Sequence, residues 1–147
     1  MVVRKLITKM MAVAMGVMAM ASVGSIAFAN NYYDTESRLH MDEANGEETA
    51  YTIGRSKEDT SSGYIKNCWT TYDCDYSVAL VGANYNGGSE YYENFDLVYY
   101  KIDGSSQNEY FLTNYVKESG YNYAAIKTFS DYYGYYAVDF LWSPDSV

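Results

Sequence analysis

The sequence predicts an all-β fold: a small antiparallel β-sandwich of about seven strands, after a cleaved N-terminal signal peptide. Three observations carry that reading. From Thr49 onward, apolar and polar residues alternate with period two, as extended backbone with one buried face requires. Turn formers interrupt the alternation at short intervals, at Ser61-Ser62-Gly63, Asn86-Gly87-Gly88, Asp103-Gly104-Ser105-Ser106 and Ser119-Gly120. No segment carries a helical stripe, and the one proline, Pro144, follows the last alternating run.

The start of the chain reads as a secretory signal. Arg4, Lys5 and Lys9 form a basic opening, residues 10–26 are uncharged and mostly apolar, and Ala27-Phe28-Ala29 offers small residues to a signal peptidase. Cleavage is expected before Asn30. The competing reading is an uncleaved anchor, but the apolar run is only about 17 residues, the lower limit for a bilayer span. The protein is therefore expected to be secreted, extracellular and without a membrane span after cleavage.

Removal of residues 1–29 takes away three of the ten basic residues and none of the acidic ones. Residues 30–147 then hold seven basic against 19 acidic side chains, a balance of −12. Such a charge excludes nucleic acid and anionic lipid, which need a basic face. All 19 tyrosines fall in this part. That aromatic content separates it from low-complexity disorder.

Residues 30–48 are polar and acidic and read as a flexible acidic leader. Residues 49–147 form the sandwich domain, with strands expected at 49–55, 63–70, 74–83, 95–103, 109–116, 122–129 and 134–142. In the last of these, Tyr136, Val138, Phe140 and Trp142 share one face and Tyr135, Ala137 and Asp139 the other. A hairpin through residues 130–133 would pair Ile126 with Tyr136 and Ala124 with Val138 in the core. The same register would set Lys127 beside Tyr135 and Tyr123 beside Asp139 outside.

Cys68 and Cys74 are the only cysteines. In an exported chain such a pair points to one disulfide. Ile65 and Trp69 are expected to face inward, which turns Cys68 outward, whereas Cys74 faces inward with Tyr76, Val78 and Leu80. A bridge therefore needs a bulge near residues 70–73.

Tyrosine doublets mark candidate binding residues, because neighbours in a strand point to opposite faces. Tyr100 and Tyr136 fit the core. Tyr99, Tyr123 and Tyr135, with Lys127, are expected outside, where rings on a rigid sheet stack on sugars or anchor a protein. The plainer reading is that surface tyrosine simply favours strands.

Catalytic and metal signatures are missing. His40 is the sole histidine and sits in the leader. No G-x-S-x-G, H-E-x-x-H, phosphate loop or D-x-D-x-D-G calcium loop occurs. Two cysteines and one distant histidine do not fill a zinc shell. No cofactor or metal is implied, and the chain is expected not to be an enzyme. A hydrolase using two converging carboxylates stays open as an alternative.

The stretch Asn114-Tyr115-Val116-Lys117-Glu118-Ser119-Gly120-Tyr121, then Ala124-Ala125-Ile126, then Trp142-Ser143-Pro144-Asp145-Ser146, resembles small secreted proteins of Gram-positive bacteria that end in W-S-P-D-S. Some of these are similar in layout to the lactococcin-972-like bacteriocins. Members commonly place Gly ahead of the final Trp, where this chain has Phe140-Leu141. The resemblance covers the last third, implies a small secreted β-sandwich and carries no active-site residue with it. Physically, the ending reads as a clasp: Trp142 closes the buried face, Pro144 stops pairing, and Asp145 and Ser146 cap backbone groups.

The expected function is non-catalytic binding of a cell-envelope glycan or an extracellular protein through exposed tyrosines. A secreted bacteriocin-like antimicrobial is the first alternative.

Overall fold

The computed structural model describes residues 33–130 and 132–146. The signal-peptide segment, residues 1–29, lies outside them. Ten strands are described: β1 (Thr35–Asp42), β2 (Thr49–Tyr51), β3 (Arg55–Ser56), β4 (Gly63–Thr70), β5 (Tyr76–Ala83), β6 (Tyr91–Tyr92), β7 (Tyr100–Ile102), β8 (Glu109–Leu112), β9 (Tyr123–Phe129) and β10 (Tyr135–Ser143). They form two antiparallel sheets. The four-stranded sheet runs β1-β10-β4-β8. In the six-stranded sheet β9 and β5 are central; β2 and β3 share the free edge of β9, and β6 and β7 that of β5.

One core lies between the sheets. Met41, Ile65, Leu112, Tyr136, Val138, Phe140 and Trp142 enter it from the four-stranded sheet. Tyr76, Val78, Leu80, Ile102, Ala124 and Ile126 enter from the six-stranded one. Two buried hydroxyls find acceptors. Tyr76 donates to Asn67 Oδ1 at 3.2 Å, and Tyr136 donates to the carbonyl of Cys74. Burial pushes the Tyr136 hydroxyl up to about 12, so it stays protonated.

Where the sequence reading expected a leader, Thr35–Asp42 is an eight-residue strand. It alternates like the others, but of the four positions on its inward side Thr35 is exposed, Ser37 and Leu39 are half-buried and only Met41 is fully buried. Its outward positions, Glu36, Arg38 and His40, are charged or polar, which hid it. Charged outward side chains are also how an edge strand resists pairing with strangers.

The expected hairpin does not form. Strand β9 pairs with β5, setting Ile126 against Leu80 and Ala124 against Gly82. Strand β10 pairs with β1 and β4, setting Tyr136 against Met41 and Val138 against Leu39 and Thr70. The chain between them crosses from one sheet to the other. Lys127 therefore stands beside Tyr51 and Ala79, not Tyr135, and Tyr123 beside Ser56, not Asp139. The inward faces nevertheless agree with the alternation, because period two fixes which side chains share a face but not which strand lies alongside.

The shorter differences have local causes. The run expected at 49–55 divides into β2 and β3, because residues 84–88 dock onto Gly54. Gly54 donates to the carbonyl of Gly88 at 2.8 Å and accepts from Gly87 at 2.7 Å. A Cβ there would sit 2.5 Å from the Tyr85 carbonyl oxygen, so only glycine fits. Strand β8 stops at Leu112 because the buried Asn114 side chain takes over the backbone groups. It donates to the Leu112 carbonyl at 3.1 Å and accepts from Val116 N–H. Of the run expected at 95–103 only Tyr100–Ile102 is strand. In its earlier part, Phe95 packs against the core between the sheets and Leu97 against the outer face of the six-stranded sheet.

Both cysteines are free thiols, so the expected disulfide is not formed. Asn67 pairs with Phe140 and Trp69 with the adjacent Asp139, which makes Cys68 the extra residue of a bulge within β4. The bulge lies in the strand, not after it at 70–73. It reverses the phase, so Thr70 turns inward and Trp69, expected inside, turns outward at 49% exposure. Each sulfur lies near the carbonyl two residues back in its own chain, 3.7 Å for Cys68 and 3.6 Å for Cys74.

Candidate functional site

The six-stranded sheet buries part of its outer face as well. Val81, Ala83 and Ala125 form a second small core, covered by Tyr51, Tyr91, Leu97 and Tyr123. Tyr51 and Tyr91 lie face to face, ring centres 4.2 Å apart and planes within 10°. The Tyr91 hydroxyl donates to the Thr52 carbonyl at 2.9 Å, which fixes that ring to the sheet.

Beside this cover, Lys127 is held on several sides. Its ammonium donates to Glu93 Oε2 at 2.6 Å, and the Tyr51 hydroxyl donates to Glu93 Oε1 at 2.6 Å. The same ammonium lies 6.0 Å from the Tyr51 ring centre and 5.9 Å from that of Tyr99. Burial works against the Glu93 carboxylate, yet the bonds from Lys127 and Tyr51 hold it below the usual carboxylate range. Burial likewise opposes the Lys127 ammonium, and Glu93 more than offsets it, raising Lys127. Both groups stay charged across the neutral range.

Next to Lys127 opens a cleft of about 360 Å³, lined also by Tyr99, Phe129, Ser130, Glu43 and Glu48. Tyr99 meets Phe129 edge to face at 5.7 Å and is 48% exposed. The cleft thus offers an aromatic surface, a cation fixed in place, a hydroxyl and two carboxylates without an ion-pair partner among the described residues. That mixture of one apolar plane with donors and acceptors around it suits a sugar ring.

The four residues singled out from sequence separate. Tyr99 and Lys127 come together at this cleft. Tyr123 lies four residues from Lys127 on β9, packed onto the second core. Tyr135 belongs to the other sheet and stacks on His40, ring centres 5.5 Å apart. Its hydroxyl hydrogen-bonds His40 Nδ1. Sequence reasoning missed Tyr51, Glu93, Glu43 and Glu48. Alternation places Tyr51 on the outer face, but the approach of Glu93 and of residues 43–48 is tertiary and leaves no mark in local pattern.

The C-terminal ending is a clasp between the sheets. Trp142 is fully buried; its indole N–H donates to Ser37 Oγ at 3.2 Å, and the Arg55 guanidinium lies 5.1 Å from the ring centre. Beyond Pro144, Asp145 turns back to the fully buried Lys57, 2.8 Å away. Lys57 also donates to the carbonyls of Ser61 and Pro144, both at 2.8 Å, and Asp145 Oδ2 accepts the Glu58 backbone N–H at 2.9 Å. Every proton of the ammonium is therefore matched, the condition for burying an ion pair. Asp145 caps a distant loop rather than its own turn.

Among the described residues no helix is long and apolar enough to cross a membrane. No curated protein and no solved structure matches the chain. One family does, over residues 25–146, a span that takes in both sheets, the cleft and the clasp: the chain belongs to the family described as "Protein of unknown function (DUF2712)".

Proposed function

We propose that this chain is a secreted, non-catalytic binding domain that holds a sugar unit of an extracellular glycan in the cleft beside Tyr99 and Lys127. The observation that carries the reading is the immobilised Lys127. An ammonium tied to Glu93 and flanked by two rings loses little further freedom when a ligand hydroxyl meets it, and preorganisation of that kind favours affinity. Tyr99 supplies the stacking surface, and Glu43 and Glu48, which line the same cleft, accept hydrogen bonds from ligand hydroxyls.

The purified protein should be titrated with a panel of soluble neutral oligosaccharides. At least one should bind, with Tyr99→Ala and Lys127→Met each weakening it at least tenfold, a loss of about 1.4 kcal/mol. Tyr99→Phe should keep most of the affinity. If no sugar binds, or if these variants bind as the parent does, the reading fails. Release of new reducing ends from any glycan in the panel would replace it with the hydrolase reading, for which Glu43 and Glu48 are the first carboxylates to test.

A bacteriocin-like role is the second reading, supported by the C-terminal resemblance and the small β-sandwich. The balance of −12 weighs against direct attack on anionic envelopes. Clearing of a lawn of susceptible cells by the purified protein would favour this role.

A further inference from the structure

Among the described residues no second apolar core lies on the outer face of the four-stranded sheet; Ala137, Asp139 and Ser143 are buried on that side of β10, and large aromatic side chains stand around them. Tyr135 is 57% exposed, Trp69 49% and Phe111 58%, with the half-buried Tyr64 tilted against Phe111 at 5.8 Å. Strand register puts these rings in line. Tyr135, Asp139 and Ser143 follow one another at four-residue intervals on the outward side of β10. Trp69 of β4 stands opposite Asp139, Tyr64 of β4 opposite Ser143, and Phe111 of β8 opposite Tyr64. Going from Tyr135 to Trp69 to Phe111 therefore means four residues along and one strand across at each step. At strand spacing that is about 14 Å per step, on one diagonal of the sheet.

The charges among these rings are already paired. Asp139 takes both arms of the Arg38 guanidinium, and Lys66 lies 3.6 Å from Glu109. With Arg38 and Glu36 of β1, these are the charged side chains beside the row, so it presents little net charge to a ligand. Their remaining N–H groups and lone pairs lie between the rings as neutral-looking hydrogen-bonding edges.

We infer that the diagonal Tyr135–Trp69–Phe111 is a docking row for a neutral, equatorially linked polysaccharide chain lying lengthwise across the sheet. Equatorial sugars expose flat C–H faces to stack on rings, and hydroxyl edges to meet the polar groups between. The spacing requires an extended polymer rather than a single sugar, so the row is distinct in ligand length from the cleft on the opposite sheet and does not depend on it. Other occupants fit less well. An anionic polymer is repelled by the balance of −12 over residues 30–147. A basic peptide needs several free carboxylates, whereas on this face Asp139 and Glu109 are paired and Glu36 of β1 lies in the field of Arg38. A second copy brings the same −12 against itself.

The test is retention of the purified protein on insoluble chitin and on cellulose, with analytical sedimentation alongside. The parent should be retained on at least one of them. Trp69→Ala and Phe111→Ala should each lower retention at least tenfold, Trp69→Phe should keep most of it, and Tyr85→Ala, an exposed tyrosine outside both sites, should leave it unchanged. Because the altered rings are exposed, melting temperatures should stay near that of the parent, and a variant that melts early is replaced by Trp69→Gln. Failure of the parent to be retained overturns the inference, as does equal retention by the Trp69 and Phe111 variants. A concentration-dependent dimer abolished by Trp69→Ala also overturns it and assigns the face to a second copy. Loss of retention with Tyr99→Ala alone moves polysaccharide binding to the cleft and likewise overturns it.

Discussion

The two sheets treat their outer faces differently. On the six-stranded sheet, Val81, Ala83 and Ala125 are sealed by Tyr51, Tyr91, Leu97 and Tyr123, and the cleft opens at the margin of that seal. On the four-stranded sheet, Trp69, Phe111 and Tyr135 stand about half exposed beside paired charges, Tyr135 with His40 stacked on it. Aromatic residues therefore do two jobs in one domain. Where a tyrosine covers small apolar residues it contributes to stability, and where it stands among ion pairs it contributes mainly surface. Composition alone does not separate the two.

What both faces share is the seam between the sheets, so breaking it gives the largest expected effect. Lys57 follows β3 of one sheet and Asp145 follows β10 of the other, both fully buried. Lys57→Met leaves a buried carboxylate unpaired and should cost about 3–5 kcal/mol by urea denaturation. The double variant Lys57→Met/Asp145→Leu should recover much of that loss, because neither charge then remains stranded.

A smaller change separates the two faces. Tyr91→Ala removes the stack on Tyr51, about 0.5–1.5 kcal/mol beyond the area lost, and loosens the wall that holds Glu93 and Lys127. Oligosaccharide affinity at the cleft should fall while retention on insoluble polysaccharide stays. A parallel fall in both would mean that the faces are not independent.

Acid sharpens the comparison further. Glu93 has a folded value below its unfolded one, so its contribution is present above the ordinary glutamate range and is lost as pH falls through the folded value. Melting temperature should therefore decline on acidification below that ordinary value, near about 4.3. Glu93→Gln should show a smaller decline over the same interval, measured by calorimetry. The least effect on stability is expected from Trp69→Ala, within about 0.5 kcal/mol, because the ring stands half in solvent and outside both apolar cores.

The sequence made the buried faces legible and left the pairings hidden. Ile126 and Tyr136 both reach the core as period two demands, yet they come from opposite sheets, since alternation carries no information about neighbours. Trp69 was turned round by a single extra residue, Cys68, in the ladder of β4. Strand β1 escaped notice because an edge strand needs only one well-buried side chain, here Met41, among charged ones. At the cleft, Tyr99 and Lys127 were readable as outward positions. Glu93 and Glu43 were not, because only tertiary folding brings them alongside.

The central claim is that this domain keeps one tryptophan for its core and turns the other toward a ligand. Trp142 and Trp69 are the only two tryptophans, at 0% and 49% exposure. Quenching of their fluorescence by acrylamide, which carries no charge and so is not repelled, tests this directly. The account predicts one accessible and one shielded component, with a soluble oligomer of the retained polysaccharide protecting the accessible one alone. Two equally accessible tryptophans, or an accessible one that saturating oligomer leaves unprotected, would contradict it.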